Sequence, residues 1–213
     1  AYFDKERILL HFGAVDQIAE VWVNGQLVGT HEGGYLAFTF DITNVVKRDG
    51  GNTLTVKVTD TLSRKYPYGK QSYKRGGMWY TPISGIWQCV WLESVPAEYI
   101  ESLEIKPDLE GIDIRVQIGG TDRKSASGNN GFKVQVTLHN GEMFEQSFVG
   151  TKGRIQLKGH MGQDGVPYEP RLWSCEDPYL YSVKIITECD QVESYFALRT
   201  ISVQNIQGIN RVC

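Results

Sequence analysis

The chain is poor in the residues that most often announce chemistry. Its four cysteines, Cys89, Cys175, Cys189 and Cys213, stand far apart and form no C-x-x-C pair, so no zinc site is expected. With so few cysteines in a chain this long, free thiols are expected over a disulfide framework. The four histidines, His11, His31, His139 and His160, are scattered, and no pair has metal-ligand spacing. There is no G-x-S-x-G elbow and no phosphate-binding glycine loop, and no metal or cofactor is expected. No apolar run approaches the roughly 18 residues of a membrane span. The net charge is only −3 and both signs are mixed along the chain, so neither nucleic acid nor a membrane is an expected partner. The first residues carry no signal-peptide pattern.

What is present is alternation. Leu54, Val56 and Val58 share one face of their segment. Ile112, Ile114, Val116 and Ile118 do the same, as do Phe132, Val134, Val136 and Leu138. A period of two marks strands buried on one side. Asn24-Gly25 and Asn140-Gly141 interrupt such runs, and both residues of each pair suit a type I′ hairpin turn. No amphipathic helix longer than two turns is visible. The chain therefore reads as all-β: one sandwich over 1–97, a second over 98–203, and a tail over 204–213. The stretch from Gly119 to Gly131, rich in Gly, Ser, Asn and Lys, reads as a long exposed loop.

The aromatic stretch Gly76 to Trp91 holds three of the five tryptophans. Gly76 to Pro82 has turn residues and no alternation, which predicts a loop. From Ile86 onward, Trp87, Cys89 and Trp91 would lie on one face, and Ile86, Val90 and Leu92 with Gln88 on the other. Bulky residues on both faces predict a buried strand, with Trp87 and Trp91 in the core. Trp173 is expected as a packing anchor of the second sandwich.

An ordered set of motifs then resembles one family. Val21 to Tyr35, Phe38 to Thr43, Gly51 to Leu54 and Ser84 to Glu93 look like the sugar-binding domain of family 2 glycoside hydrolases, which include β-galactosidases, β-glucuronidases and β-mannosidases. Leu172-Trp173-Ser174, Asp177 to Tyr181 and Phe196 to Ile201 resemble the immunoglobulin-like domain that precedes that family's catalytic barrel. The resemblance implies a jelly-roll-like (galactose-binding-like) sandwich followed by an immunoglobulin-like one. It also implies a retaining glycosidase with two carboxylates roughly 5 Å apart on the barrel. The chain has no Asn-Glu pair, the family's usual acid/base context, and no alternating strands and helices for a barrel of ~250 residues. It is expected to be an internal, non-catalytic piece of a larger β-galactosidase-like enzyme; the compartment, bacterial cytoplasm or periplasm, is left open. A homo-oligomer stays open.

Most motif residues have structural roles. Gly33-Gly34 suits a tight bend or close backbone approach, and Asp41, Thr43 and Asn52 can bond local backbone groups. The loop from Leu62 to Arg75, continuing to Tyr80, mixes aromatic and long polar side chains. Lys70, Gln71, Trp79 and Tyr80 are its candidate carbohydrate-binding residues, at the mouth of the absent barrel or in an independent lectin-like module. In related β-galactosidases an acidic residue before the Met-Trp pair helps hold a metal ion. Gly77 occupies that position here, so no metal site carries over.

Overall fold

A computed structural model describes residues 3–120 and 131–212. The expected loop between Gly119 and Gly131 lies almost wholly outside them, as does Cys213. The chain divides into two compact units, 1–96 and 97–213, and the described residues contain no helix.

In unit 1 the strands are β1 (Arg7–Phe12), β2 (Val15–Asp16), β3 (Ile18–Val23), β4 (Gln26–Glu32), β5 (Phe38–Asp41), β6 (Leu54–Thr59), β7 (Gly85–Ile86) and β8 (Val90–Val95). They form two antiparallel three-stranded sheets, β5-β1-β8 and β4-β3-β6, with a short β2-β7 pair beside them. Ile8, Leu10 and Phe12 from β1 meet Ala19, Val21 and Val23 from β3 in one apolar cluster, with Val15 and Ile42. Alternation supplies these inward residues, as a half-buried strand requires.

In unit 2 the strands are β9 (Tyr99–Pro107), β10 (Gly111–Gly119), β11 (Phe132–Thr137), β12 (Met143–Phe148), β13 (Lys152–Gln156), β14 (Tyr181–Ile186), β15 (Gln191–Phe196), β16 (Val203–Ile206) and β17 (Ile209–Val212). A three-stranded sheet, β13-β10-β9, and a four-stranded one, β12-β11-β14-β15, enclose Ile112, Ile114, Val116, Val134, Val136 and Ile185. This is an immunoglobulin-like arrangement of two antiparallel sheets. A bulge between Gln117 and Ile118 shifts the β9-β10 register where the alternation ends. The expected tail carries a hairpin of its own, β16-β17.

The two Asn-Gly turns differ. Asn24 and Gly25 both have positive φ, 52° and 82°, and close the tight β3-β4 hairpin. At the other, only Gly141 is left-handed, with φ of 87°. The amide of Leu138 donates to the carbonyl of Glu142 (2.8 Å), so three residues form the loop. The extra residue, His139, relaxes the demand on Asn140, and a bulge glycine replaces the type I′ pair.

The expected buried strand from Ile86 to Leu92 is not there. The strand breaks over 87–89, between β7 and β8. Trp87 is 52% exposed, Trp91 47% and Leu92 44%. Trp87 falls in the break itself; for Trp91 and Leu92 the reason is position in the sheet. Among the described residues β8 pairs only with β1, which leaves its other edge without a neighbour. Trp91 lies flat on His11, ring centroids 4.8 Å apart, on the outer face. Trp173 is half-buried, held by its N–H to the carbonyl of Leu198 and covered by the Arg199 guanidinium at 4.6 Å.

Candidate functional site

The segment after β6 runs from Asp60 to Ser84 without a named strand. Short-range polar contacts shape it. The Tyr66 hydroxyl donates to Glu32 Oε1 (2.6 Å) and accepts from Lys65 Nζ (3.1 Å). The Tyr66 hydrogen bond, with the Lys65 charge, holds the Glu32 carboxyl below its ordinary range. Further along, the chain folds back on itself. The Tyr80 amide donates to the Lys70 carbonyl (2.9 Å), the Ser72 amide to the Tyr80 carbonyl (3.1 Å), and the Trp79 amide to the Gly76 carbonyl (3.1 Å). Gly76 and Gly77, with φ of 138° and 58°, make the reversal between them.

This fold-back brings Lys70, Gln71, Trp79 and Tyr80 into one small substructure, and then separates them by role. Trp79 and Tyr80 are exposed, with Met78 and Tyr73. Gln71 turns the other way. Its Oε1 accepts the Ile83 N–H (2.6 Å), and its side chain lines a cleft of about 240 Å³ with Asp16, Tyr35, Ile83, Ser84 and Trp87. Lys70, Trp79 and Tyr80 are not among the residues lining it.

Trp87 is fixed by its Nε1–H, which donates to the Gly34 carbonyl (2.7 Å). Tyr35 meets Trp87 edge-on, centroids 6.0 Å apart. Asp16 ends β2, and a Cβ on Gly34 would stand 2.7 Å from Asp16 Oδ1, so glycine is needed for the carboxylate to sit where it does. Burial, then repulsion from Asp60, pushes the Asp16 carboxyl up. The tight bend or close backbone approach expected at Gly33-Gly34 is, at Gly34, a close approach to the side chain of Asp16. Nothing in the local pattern around Asp16 pointed across the chain to Gln71 or Trp87.

A narrower cleft of about 160 Å³ lies in unit 2, between Ile118, Phe132, Thr151 and Glu188. Among the described residues, no group of three or more His, Cys, Asp or Glu side chains gathers as a metal site.

Two sequence profiles match this chain: the sugar binding domain of the family 2 glycosyl hydrolases over residues 1–96, and a second domain of the same family over 98–199. The chain belongs to glycosyl hydrolase family 2. A β-galactosidase of Thermoanaerobacter pseudethanolicus is 29% identical over 202 residues, covering 91% of this chain and 25% of that protein. The β-glucuronidase of Homo sapiens is 27% identical, covering 95% of this chain and 34% of that protein. The chain thus spans about a quarter to a third of the length of these family 2 relatives. The fold is shared with a β-glucuronidase structure from Ruminococcus gnavus, at a TM-score of 0.70, 22% identity, 96% of this chain and 35% of that one. A β-glucuronidase structure from Bifidobacterium dentium, complexed with coumarin-3-O-glucuronide, gives 0.73 at 21% identity, over 95% of this chain and 38% of that one.

Proposed function

We propose that this chain is the non-catalytic, accessory part of a family 2 glycosidase, and that the longer protein hydrolyses O-glycosidic bonds, with a β-galactosidase-like specificity. The observation that carries the reading is that the two matched family domains occupy 1–96 and 98–199, and both fold as β-sandwiches. A retaining glycosidase works with two carboxylates on a shared site, one as nucleophile and one as acid/base. On this reading both belong to a separate barrel, and the units here support it. The exposed loop with Lys70, Trp79 and Tyr80 would reach the barrel's substrate mouth. The test is turnover of aryl β-galactosides and aryl β-glucuronides. The longer protein is expected to release aryl alcohol while the 213-residue chain releases none above background. Turnover by the 213-residue chain would sink the accessory reading.

The exposed aromatic groups between Tyr66 and Tyr80 favour a second reading, an independent carbohydrate-binding module. Calorimetric titration with galactosides decides it: micromolar binding lost in Trp79→Ala supports it, and no heat at millimolar sugar removes it.

A further inference from the structure

A pyranose ring asks a protein for three things: a flat apolar surface for its C–H face, acceptors and donors for its hydroxyls, and room for one ring. The cleft of unit 1 offers each. Its aromatic walls are Trp87, half exposed, and Tyr35, 62% exposed, with ring planes at 73°. The hydrogen bond to Gly34 anchors Trp87, so little rotamer freedom remains for a ligand to freeze. The carbonyl end of Gln71 is pinned by the Ile83 amide. That orientation leaves its Nε2 protons as the available donors. The Asp16 carboxylate, pressed against Gly34, supplies acceptors on the same cleft. The cleft, about 240 Å³, is smaller than the roughly 300–1,000 Å³ usual for drug-sized ligands, which suits one ring and not a chain of them.

Charge narrows the choice of sugar. The lining residues include Asp16 and no cation, and Asp60 adds negative potential at Asp16. A uronate carboxylate would enter against like charge, with no guanidinium or ammonium to receive it.

We propose that Asp16, Tyr35, Gln71 and Trp87 form a binding site for a single neutral pyranose ring, stacked on Trp87 and hydrogen-bonded through Asp16 and Gln71 Nε2. The site belongs to unit 1 alone and is independent of whether the longer protein hydrolyses glycosides. It also differs from the aromatic tip at Trp79 and Tyr80.

Saturation-transfer NMR and titration on the 213-residue chain test it, with methyl β-D-galactopyranoside, methyl β-D-glucopyranoside and sodium glucuronate as probes. A neutral glycoside is expected to bind in the millimolar range, and glucuronate about tenfold more weakly or not at all. Tyr35→Ala and Gln71→Ala, whose effect on folding is checked by unchanged urea curves, are each expected to weaken binding at least about fivefold. Trp79→Ala is expected to leave it unchanged. The proposal falls if neither neutral glycoside binds at about 0.1 M. It falls equally if glucuronate binds as well as the neutral sugars, if both cleft variants bind like the parent chain, or if Trp79→Ala is the variant that loses binding. Aryl glycoside turnover is read separately, so its result and this one cannot be confused.

Discussion

Asn24 does two things with one short side chain. Its backbone takes the left-handed conformation of the β3-β4 turn, with φ of 52°. Its amide then ties down a separate segment, with Nδ2 donating to the Val45 carbonyl (2.7 Å) and Asn52 Oδ1 (2.8 Å), while its Oδ1 accepts the Thr53 amide (3.0 Å). Glycine satisfies the first role and not the second. Asn24→Gly is therefore expected to cost unit 1 about 1–2 kcal/mol, and Asn24→Ala about 1 kcal/mol more, because alanine also strains the turn. Urea unfolding of both variants checks the order; equal losses would mean that the turn conformation is irrelevant. In unit 2 the comparable residue is Tyr181, fully buried in its ring, whose hydroxyl accepts the Arg171 amide (2.7 Å) and donates to the Arg171 carbonyl (3.0 Å). Burial, reinforced by the hydrogen bond with Tyr168, pushes its phenol well above the ordinary value of 10. The unfolded chain then releases this proton at lower pH than the folded one. Its contribution to stability is complete below about pH 10 and is lost as pH rises beyond it. Tyr181→Phe is expected to lose roughly 1–3 kcal/mol at neutral pH by orphaning the Arg171 groups. It is also expected to flatten the alkaline decline, as thermal unfolding at neutral pH and above pH 10 would show.

At the scale of the element, what a strand contributes depends on its neighbours. Ile185 sits on β14, which is paired on both sides, by β11 and β15, and is fully buried. Leu54 has the same alternating pattern around it on β6, yet among the described residues β6 pairs only with β3, and Leu54, at its first position, is 46% exposed. Ile185→Ala is expected to cost about 2–5 kcal/mol, and Leu54→Ala less than about 1 kcal/mol. Denaturant titration of the two variants separates them, and similar losses would contradict the edge placement of β6. The turns repeat the lesson. Gly141 has φ of 87° and open space around its Cβ position, so Gly141→Ala is expected to cost about 1 kcal/mol through backbone strain alone. Asn140, not left-handed in this three-residue loop, is expected to tolerate alanine with a loss below about 1 kcal/mol, since its two hydrogen bonds to Glu142 are both exposed. Alternation showed that these segments are strands, because the pleat imposes it. It could not show which strands are edges, since pairing partners come from distant parts of the chain.

At the scale of the whole molecule, three of the five tryptophans, Trp79, Trp87 and Trp91, stand about half exposed on unit 1. The native chain is therefore expected to show red-shifted emission that acrylamide quenches strongly, and Trp87→Phe to reduce the quenchable fraction; a blue-shifted, protected spectrum would contradict the exposed placement. The all-β class, the Asn24-Gly25 hairpin, the close approach at Gly34 and the family were all legible in the sequence. Each rests on local periodicity, local turn chemistry or ordered motifs. Gln71 stands out in the sequence because its loop mixes aromatic and polar residues, and the structure places it on a cleft. Its companions there were not legible as candidates. Asp16, Tyr35 and Trp87 lie far from Gln71 along the chain, and only the fold-back after β6 and the carbonyl of Gly34 bring them to one cleft. The sequence by itself determined the strands and the family, because a pleated backbone and a conformationally demanding turn leave their mark on adjacent residues. The tertiary structure alone decided which tryptophans are covered and which carboxylate faces them, because burial and juxtaposition are set by contacts between residues that are remote in sequence.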